Sequence, residues 1–289
     1  MTDDPRDEAR KGFESGDFER ARRMSMTGLE FNADDLELLR LAGKSGVELA
    51  SDDAVSLLTR ATDLEPGDAR GWHDLGEALA AEGRMPEATD AFRKAVELRP
   101  DDAAAQVDLG QSARAAGLDE EAAAALARAV ALNPADRASL RSLVDLHRGA
   151  GRLEQARAAA QDLADGDPDD ALAALDVAEL DLELDRADDA LAAFSRLRES
   201  DDEPERDVYA LHGMMRAEMS REEWPRALEL AEQALRIDPS GRTEAVLGFF
   251  AGRAVGPRGN PASGRAEVDA VLQESLTEYR RILGEELGF

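Results

Sequence analysis

The chain of 289 residues contains no cysteine. Disulfides, thiolate metal sites and cysteine nucleophiles are excluded at once. Aromatic residues make up only 4%, so a core must rely on Ala and Leu, which suit close-packed helices better than sheets. Lysine occurs only at positions 11, 44 and 94, and isoleucine only at 237 and 282. Arginine and alanine stand in for them, a bias that a GC-rich genome accounts for. No segment approaches the roughly 20 apolar residues that span a bilayer. The opening stretch, MTDDPRDEARK, is acidic and carries no apolar run, so a secretory signal is not expected. These absences point to a soluble, cytoplasmic protein.

What is abundant is acid. Asp and Glu number 63 against 35 Lys and Arg, a net charge of -28. Such a chain repels nucleic acid and anionic membrane surfaces, so neither is expected as a partner. Excess Asp and Glu with little Lys resembles proteins of salt-loving organisms, whose internal salt screens self-repulsion. With 43% hydrophobic residues, the chain can still bury a core and is not compositionally disordered.

The order beneath this composition is a repeat. Trp72, Leu75, Gly76, Gly83, Ala88, Phe92, Ala95, Leu98 and Pro100 shift by 34 positions onto Gln106, Leu109, Gly110, Gly117, Ala122, Leu126, Ala129, Leu132 and Pro134. The next shift reaches Leu140, Leu143, Val144, Gly151, Ala156 and Pro168, and the backward shift reaches Leu38, Leu41, Ala42, Leu58 and Pro66. A fixed period of this size marks a repeat architecture. Small residues fall where paired helices approach most closely. Gly83 and Gly117 sit where a first helix stops. Pro86 and Pro225 stand at the start of a second helix, where the missing N–H costs little. Pro100, Pro134, Pro168 and Pro239 close second helices. Each unit is thus a helix hairpin that buries its apolar face only by stacking on its neighbours.

The pattern W..LG, A...F..A and P over this period resembles the tetratricopeptide repeat family. The expected fold is all-α: a right-handed α-solenoid of about seven to eight helix-turn-helix repeats. Units are placed at 2–34, 35–68, 69–102, 103–136, 137–170, 171–204 and 208–241 within a tandem array over 1–241. The first is degenerate, and the stretch SDDEPERD after the sixth carries about three extra residues. Residues 242–289 are read as a degenerate eighth repeat whose long amphipathic helix caps the stack.

Several motifs resemble chemical sites. AGKSG at 42–46 echoes the tail of a phosphate-binding loop, but Leu38 stands where the loop needs Gly, and no strand precedes it. Asp165, Asp167, Asp169 and Asp176 occupy positions 1, 3, 5 and 12 of a calcium loop. Asp170 replaces the turn glycine there, and the preferred reading is a solvated turn that caps the next helix. His73, His147 and His212 lie in different repeats with no i,i+4 pair, so neither a zinc site nor a histidine dyad is expected. His73 and His212 share a repeat position and are read as exposed. No catalytic constellation is present, and no enzyme activity, cofactor or metal is expected.

The family resemblance implies that first helices line a concave groove that holds a partner's peptide or helix. The groove positions carry Arg6, Arg10, Arg40, Arg70, Arg114, Arg141, Arg148, Arg216 and Arg253, nearly balanced by acids such as Asp74, Asp108, Glu179 and Glu183. A near-neutral groove on a strongly acidic protein suggests a surface reserved for interaction. Arg6, Arg10, Arg40 and Arg70 suit a carboxylate-bearing segment. His73 and Gln111 add polar contacts at neighbouring places. Towards the C-terminus, Leu175, Leu182, Tyr209, Met219, Val246 and Phe250 form an apolar row beside His212 and Arg216. Chaperone-binding members clamp a terminal carboxylate with Lys and Asn; the matching places here hold Arg6 and Arg10, His73 and Glu77, and Val107 and Gln111, so that clamp is absent. The function expected is a non-catalytic scaffold or adaptor that binds another protein. The alternative is self-assembly into homo-oligomers through the degenerate N-terminal repeat.

Overall fold

The computed structural model describes residues 4–199 and 204–237. Among these residues every regular element is an α-helix, and the helices follow one another as antiparallel hairpins. The hairpins are α1 (Pro5–Glu14) with α2 (Phe18–Phe31), α3 (Leu36–Glu48) with α4 (Ala54–Leu64), and α5 (Ala69–Ala81) with α6 (Met85–Leu98). They continue as α7 (Ala103–Ala115) with α8 (Asp119–Leu132), α9 (Arg137–Gly149) with α10 (Leu153–Gly166), and α11 (Ala171–Glu183) with α12 (Ala187–Glu199). The last is α13 (Pro204–Ser220) with α14 (Trp224–Ile237). The chain forms two compact units, Met1–Ser139 and Leu140–Phe289.

Local chemistry sets the helix ends. At the close of α5, Gly83 has φ +75°. The Arg84 N–H reaches back to the Leu79 carbonyl at 2.9 Å and the Gly83 N–H to Ala80 at 2.9 Å, a Schellman motif that satisfies carbonyls left over at the helix end. The left-handed residue recurs at Gly16, Ala50, Gly83, Gly117, Gly151, Asp185 and Glu222. The interval from Asp185 to Glu222 is three residues longer than that from Gly151 to Asp185. Second helices end just before Pro66, Pro100, Pro134 and Pro168. After each turn an aspartate caps the next first helix: Asp35 accepts from the Leu38 N–H, Asp68 from Arg70, Asp102 from Ala105, Asp136 from Ser139 and Asp170 from Ala173, at 3.0–3.3 Å. Part of the acid excess is therefore structural, placed at helix N-termini where carboxylates are favoured.

The core of the N-terminal unit joins Leu58, Leu75, Leu79, Phe92 and Leu109 with small Ala78, Ala88 and Ala91. A Cβ on Gly76 would lie 2.6 Å from the Phe92 ring, so the glycine is what lets α5 and α6 close. In the C-terminal unit, Leu175, Ala178, Phe194, Leu197, Ala210 and Ala217 form one core cluster, and Leu211, Met215, Met219 and Leu230 another. Among the described residues, no helix is long and apolar enough to cross a membrane.

Candidate interaction surface

Several of the arginines at the expected groove positions are paired with acids rather than free. In the N-terminal unit, Arg6 of α1 pairs with Asp35 at the head of α3. Arg10 donates from Nε to Glu37 at 2.9 Å. Arg40 of α3 donates to Asp74 of α5 at 2.7 Å and to Asp68 at 3.2 Å. Lys44 donates to the second oxygen of Asp74 at 2.8 Å, and its ammonium lies 5.7 Å from the Phe13 ring centre. His73 Nε2 lies 2.7 Å from Asp108 of α7. The C-terminal unit repeats the device. Arg141 of α9 donates to Asp170 at 2.9 Å, and Arg148 to Glu179 and Glu183 at 3.0 Å each. Partners lie 27 to 35 residues apart, about one repeat along. Each cation thus ties one first helix to the next.

Burial makes several of these pairs more than surface decoration. Asp74 is 3% exposed and Arg40 26%; Asp170 is 5% exposed and Glu179 4%. Arg157 of the second helix α10 likewise meets Asp181 of α11, whose side chain is buried. The hydrogen bond to Asp108 raises the His73 pKa above its usual 6.5, against the opposing effect of burial. Desolvation raises the carboxyl of Glu77. His73, Asp74 and Glu77 bring possible metal-ligand atoms within 4.8 Å of one another. The Lys44 ammonium, 2.8 Å from Asp74 and 4.0 Å from Glu77, already supplies positive charge there.

Three predicted groove residues of the N-terminal unit remain open. Arg70, Gln111 and Arg114 are exposed, and among the described residues neither arginine side chain makes an ion pair. Arg70 shares the α5 face of His73 and Glu77; Gln111 and Arg114 follow Asp108 along α7 at helical spacing. Asp68 and Gly71, which flank Arg70, border a cleft of about 480 Å³, walled by Phe13, Leu36 and Leu41 and edged by Arg40, Lys44 and Glu65.

The apolar row expected near the C-terminus is corrected in part. Leu175 is fully buried, packed with Phe194 of α12 and with Ala210 and Ala217 of α13. Its position on α11 faces the seam, not solvent. Met219 is 2% exposed for the same reason. His212, read as exposed, is 1% exposed, because α13 is packed by α12 on one side and α14 on the other. Leu182, Tyr209 and Arg216 are half-buried. Val246, Phe250 and Arg253 lie outside the described residues, as does the expected C-terminal cap.

The motifs that resemble chemical sites take structural roles. AGKSG lies within α3, where a Cβ on Gly43 would meet Leu58 at 2.5 Å. Asp170 caps α11, Asp165 accepts from Gln161 at 2.8 Å, and Asp176 is buried within the helix. His73 is half-buried rather than exposed. The residue-by-residue reading missed the pairing of groove cations with acids one repeat on. The signal was available: Arg40 and Asp74 stand 34 apart, His73 and Asp108 35, and Arg148 and Glu183 35.

Tetratricopeptide repeat family models match residues 51–103 and 87–137, and a second such model matches 147–215. No curated protein matches the chain. Among solved structures, MamA is 22% identical, with a TM-score of 0.52 over 55% of this chain and 94% of its own. YrrB, described as a TPR protein with an unusual peptide-binding site, is 19% identical, with a TM-score of 0.50 over 68% of this chain and 97% of its own. These likenesses support the all-α repeat fold.

Proposed function

The chain belongs to the tetratricopeptide repeat family, and from that premise we propose that it is a non-catalytic scaffold that holds a segment of a partner protein on the first-helix face of its N-terminal unit. One observation carries this reading. On a protein of net charge -28, this face pairs its own charges between neighbouring helices and leaves Arg70, next to the cleft, and Gln111 and Arg114 of α7 exposed. Self-pairing removes the repulsion an acidic surface would present to most proteins and fixes the spacing of the helices in advance. The open guanidinium groups then supply sites for a partner's carboxylates, where bidentate contacts give both strength and orientation. The peptide-binding site ascribed to YrrB supports the class of ligand.

The test is affinity capture from native lysate with wild type beside the double variant Arg70→Glu and Arg114→Glu. Both changes fall on side chains outside the ion-pair ladder, so circular dichroism should be unaltered. A stoichiometric partner recovered by wild type and reduced at least tenfold by the variant is the expected result. Equal recovery by both baits would sink the reading. Recovery of the chain alone, with mass rising with concentration in light scattering, would favour self-assembly instead.

A further inference from the structure

The repeat carries its own template for a second binding site, in the C-terminal unit. In the third repeat Trp72 packs against the core and donates its indole N–H to the Pro66 carbonyl at 2.9 Å. One repeat on, Gln106 fills the place and donates to the Pro100 carbonyl at 3.2 Å. In the next, buried Leu140 fills it without a donor. In the sixth repeat the residue at this place is Ala174, and the carbonyl in register is that of Pro168. Here a cavity of about 430 Å³ opens between α10, α11 and α12. Ala174, Val177, Ala193 and Leu197 line its apolar part, and Pro168 and exposed Arg196 stand at its mouth. Among the described residues no hydrogen bond to the Pro168 carbonyl is present.

We propose that this cavity is a binding site for a tryptophan side chain of a partner protein, which enters where Ala174 leaves room and donates its indole N–H to the Pro168 carbonyl. The chemistry follows from the filled copy of the site. An indole offers a large apolar body and one N–H donor. The cavity offers apolar walls and one acceptor at its mouth. A leucine side chain would fill the walls and leave the carbonyl unanswered, and a bare amide would satisfy the carbonyl and leave the walls empty.

The probe is 5-fluoro-N-acetyltryptophanamide, followed by fluorine NMR line width with intact protein. A single side chain should bind with a Kd of about 1 mM. Wild type should broaden the line, and N-acetylleucinamide in equal amount should leave the broadening in place. Ala174→Trp should fill the cavity from within, abolish the broadening and raise Tm by about 2–4 °C. Should that variant fail to fold, Ala174→Gln, which copies Gln106, must weaken the broadening at least threefold. Equal broadening by wild type and the filled variant, no broadening by wild type, or equal competition by the leucine amide would each overturn the proposal. Binding of free indole without binding of the blocked tryptophan would overturn its assignment to a protein side chain. The Arg70→Glu and Arg114→Glu variant should bind the probe as wild type does, so this proposal and the groove reading fail separately.

Discussion

Gly76 and Ala50 place opposite demands on a single methyl group. At Gly76 a Cβ would intrude to 2.6 Å from the Phe92 ring, and Phe92 is itself 3% exposed with nowhere to move. Gly76→Ala should therefore cost about 1–3 kcal/mol, the usual range for overpacking a dense core, read as a lower urea midpoint. An unchanged midpoint would mean that α5 and α6 separate without loss. Ala50 has the reverse problem. It ends α3 with φ +50°, where a side chain costs roughly 1–2 kcal/mol that glycine avoids. Ala50→Gly should stabilise the chain by about 1 kcal/mol once the greater freedom of unfolded glycine is deducted. Asp185, with φ +59°, should respond in the same direction. Gly83→Ala, at the corresponding helix end, should move the midpoint the other way. Loss of stability in Ala50→Gly would show that the alanine methyl makes a contact worth more than the strain.

Between elements, the ion-pair ladder replaces part of what a richer apolar core would do. Asp74 receives both Arg40 and Lys44 while 3% exposed. Arg40→Met should cost about 3 kcal/mol, the lower end for breaking a buried pair, because Lys44 remains. Arg40→Met with Asp74→Leu should recover most of that loss, since an apolar pair of similar size needs no charge partner and Lys44 is exposed enough to be solvated; a double variant as unstable as the single would show that the Lys44–Asp74 bond matters as much as the Arg40 pair. The next rung titrates. His73 binds its proton more tightly folded than unfolded, because Asp108 accepts from it. Its contribution is full below the unfolded value of 6.5 and is lost as pH rises through the higher folded value. The raised carboxyl of Glu77 acts in the same direction at lower pH, since protonation relieves a buried charge. Wild-type Tm should therefore fall as pH rises above about 6.5, and His73→Gln should flatten that fall. Parallel profiles would remove the assignment. These pairs also explain what sequence reading could reach. Hairpins were legible because glycine, alanine and proline recur at the positions where backbones touch or turn. The groove arginines were legible as a set, but their commitment to acids of the next helix was legible only in part, because a long side chain reaches partners at offsets from 27 to 35 residues and not at the repeat period alone. Leu175 and His212 were misplaced because an apolar or neutral residue one step round a helix changes from groove to seam, and periodicity sets that angle only coarsely.

For the whole molecule the open question is what a net charge of -28 costs. Some of the acid is already employed: five aspartates cap first helices, and others complete the ladder. The remainder repels itself, and salt distinguishes the two populations. Raising ionic strength from about 0.1 to 1 M shortens the screening length from roughly 10 to 3 Å. Partners in the ladder stand about 3 Å apart and are half-buried, so they lose little. Like charges spread over the surface stand farther apart and face solvent, so their repulsion is largely removed. Net repulsion therefore predicts that Tm rises with potassium chloride across this range, and chloride is the right anion because sulfate stabilises most proteins by exclusion. The control removes acid that makes no ion pair among the described residues: Glu30→Gln, Asp52→Asn and Asp63→Asn, all at exposed positions, should raise Tm at low salt and reduce its slope against salt. A flat slope in wild type would mean that the surplus acid is tolerated at no cost, and the resemblance to salt-adapted proteins would then rest on composition alone. A falling slope would mean that ion pairs, not apolar packing, dominate the stack, and would make Arg40→Met the most salt-insensitive variant of the series.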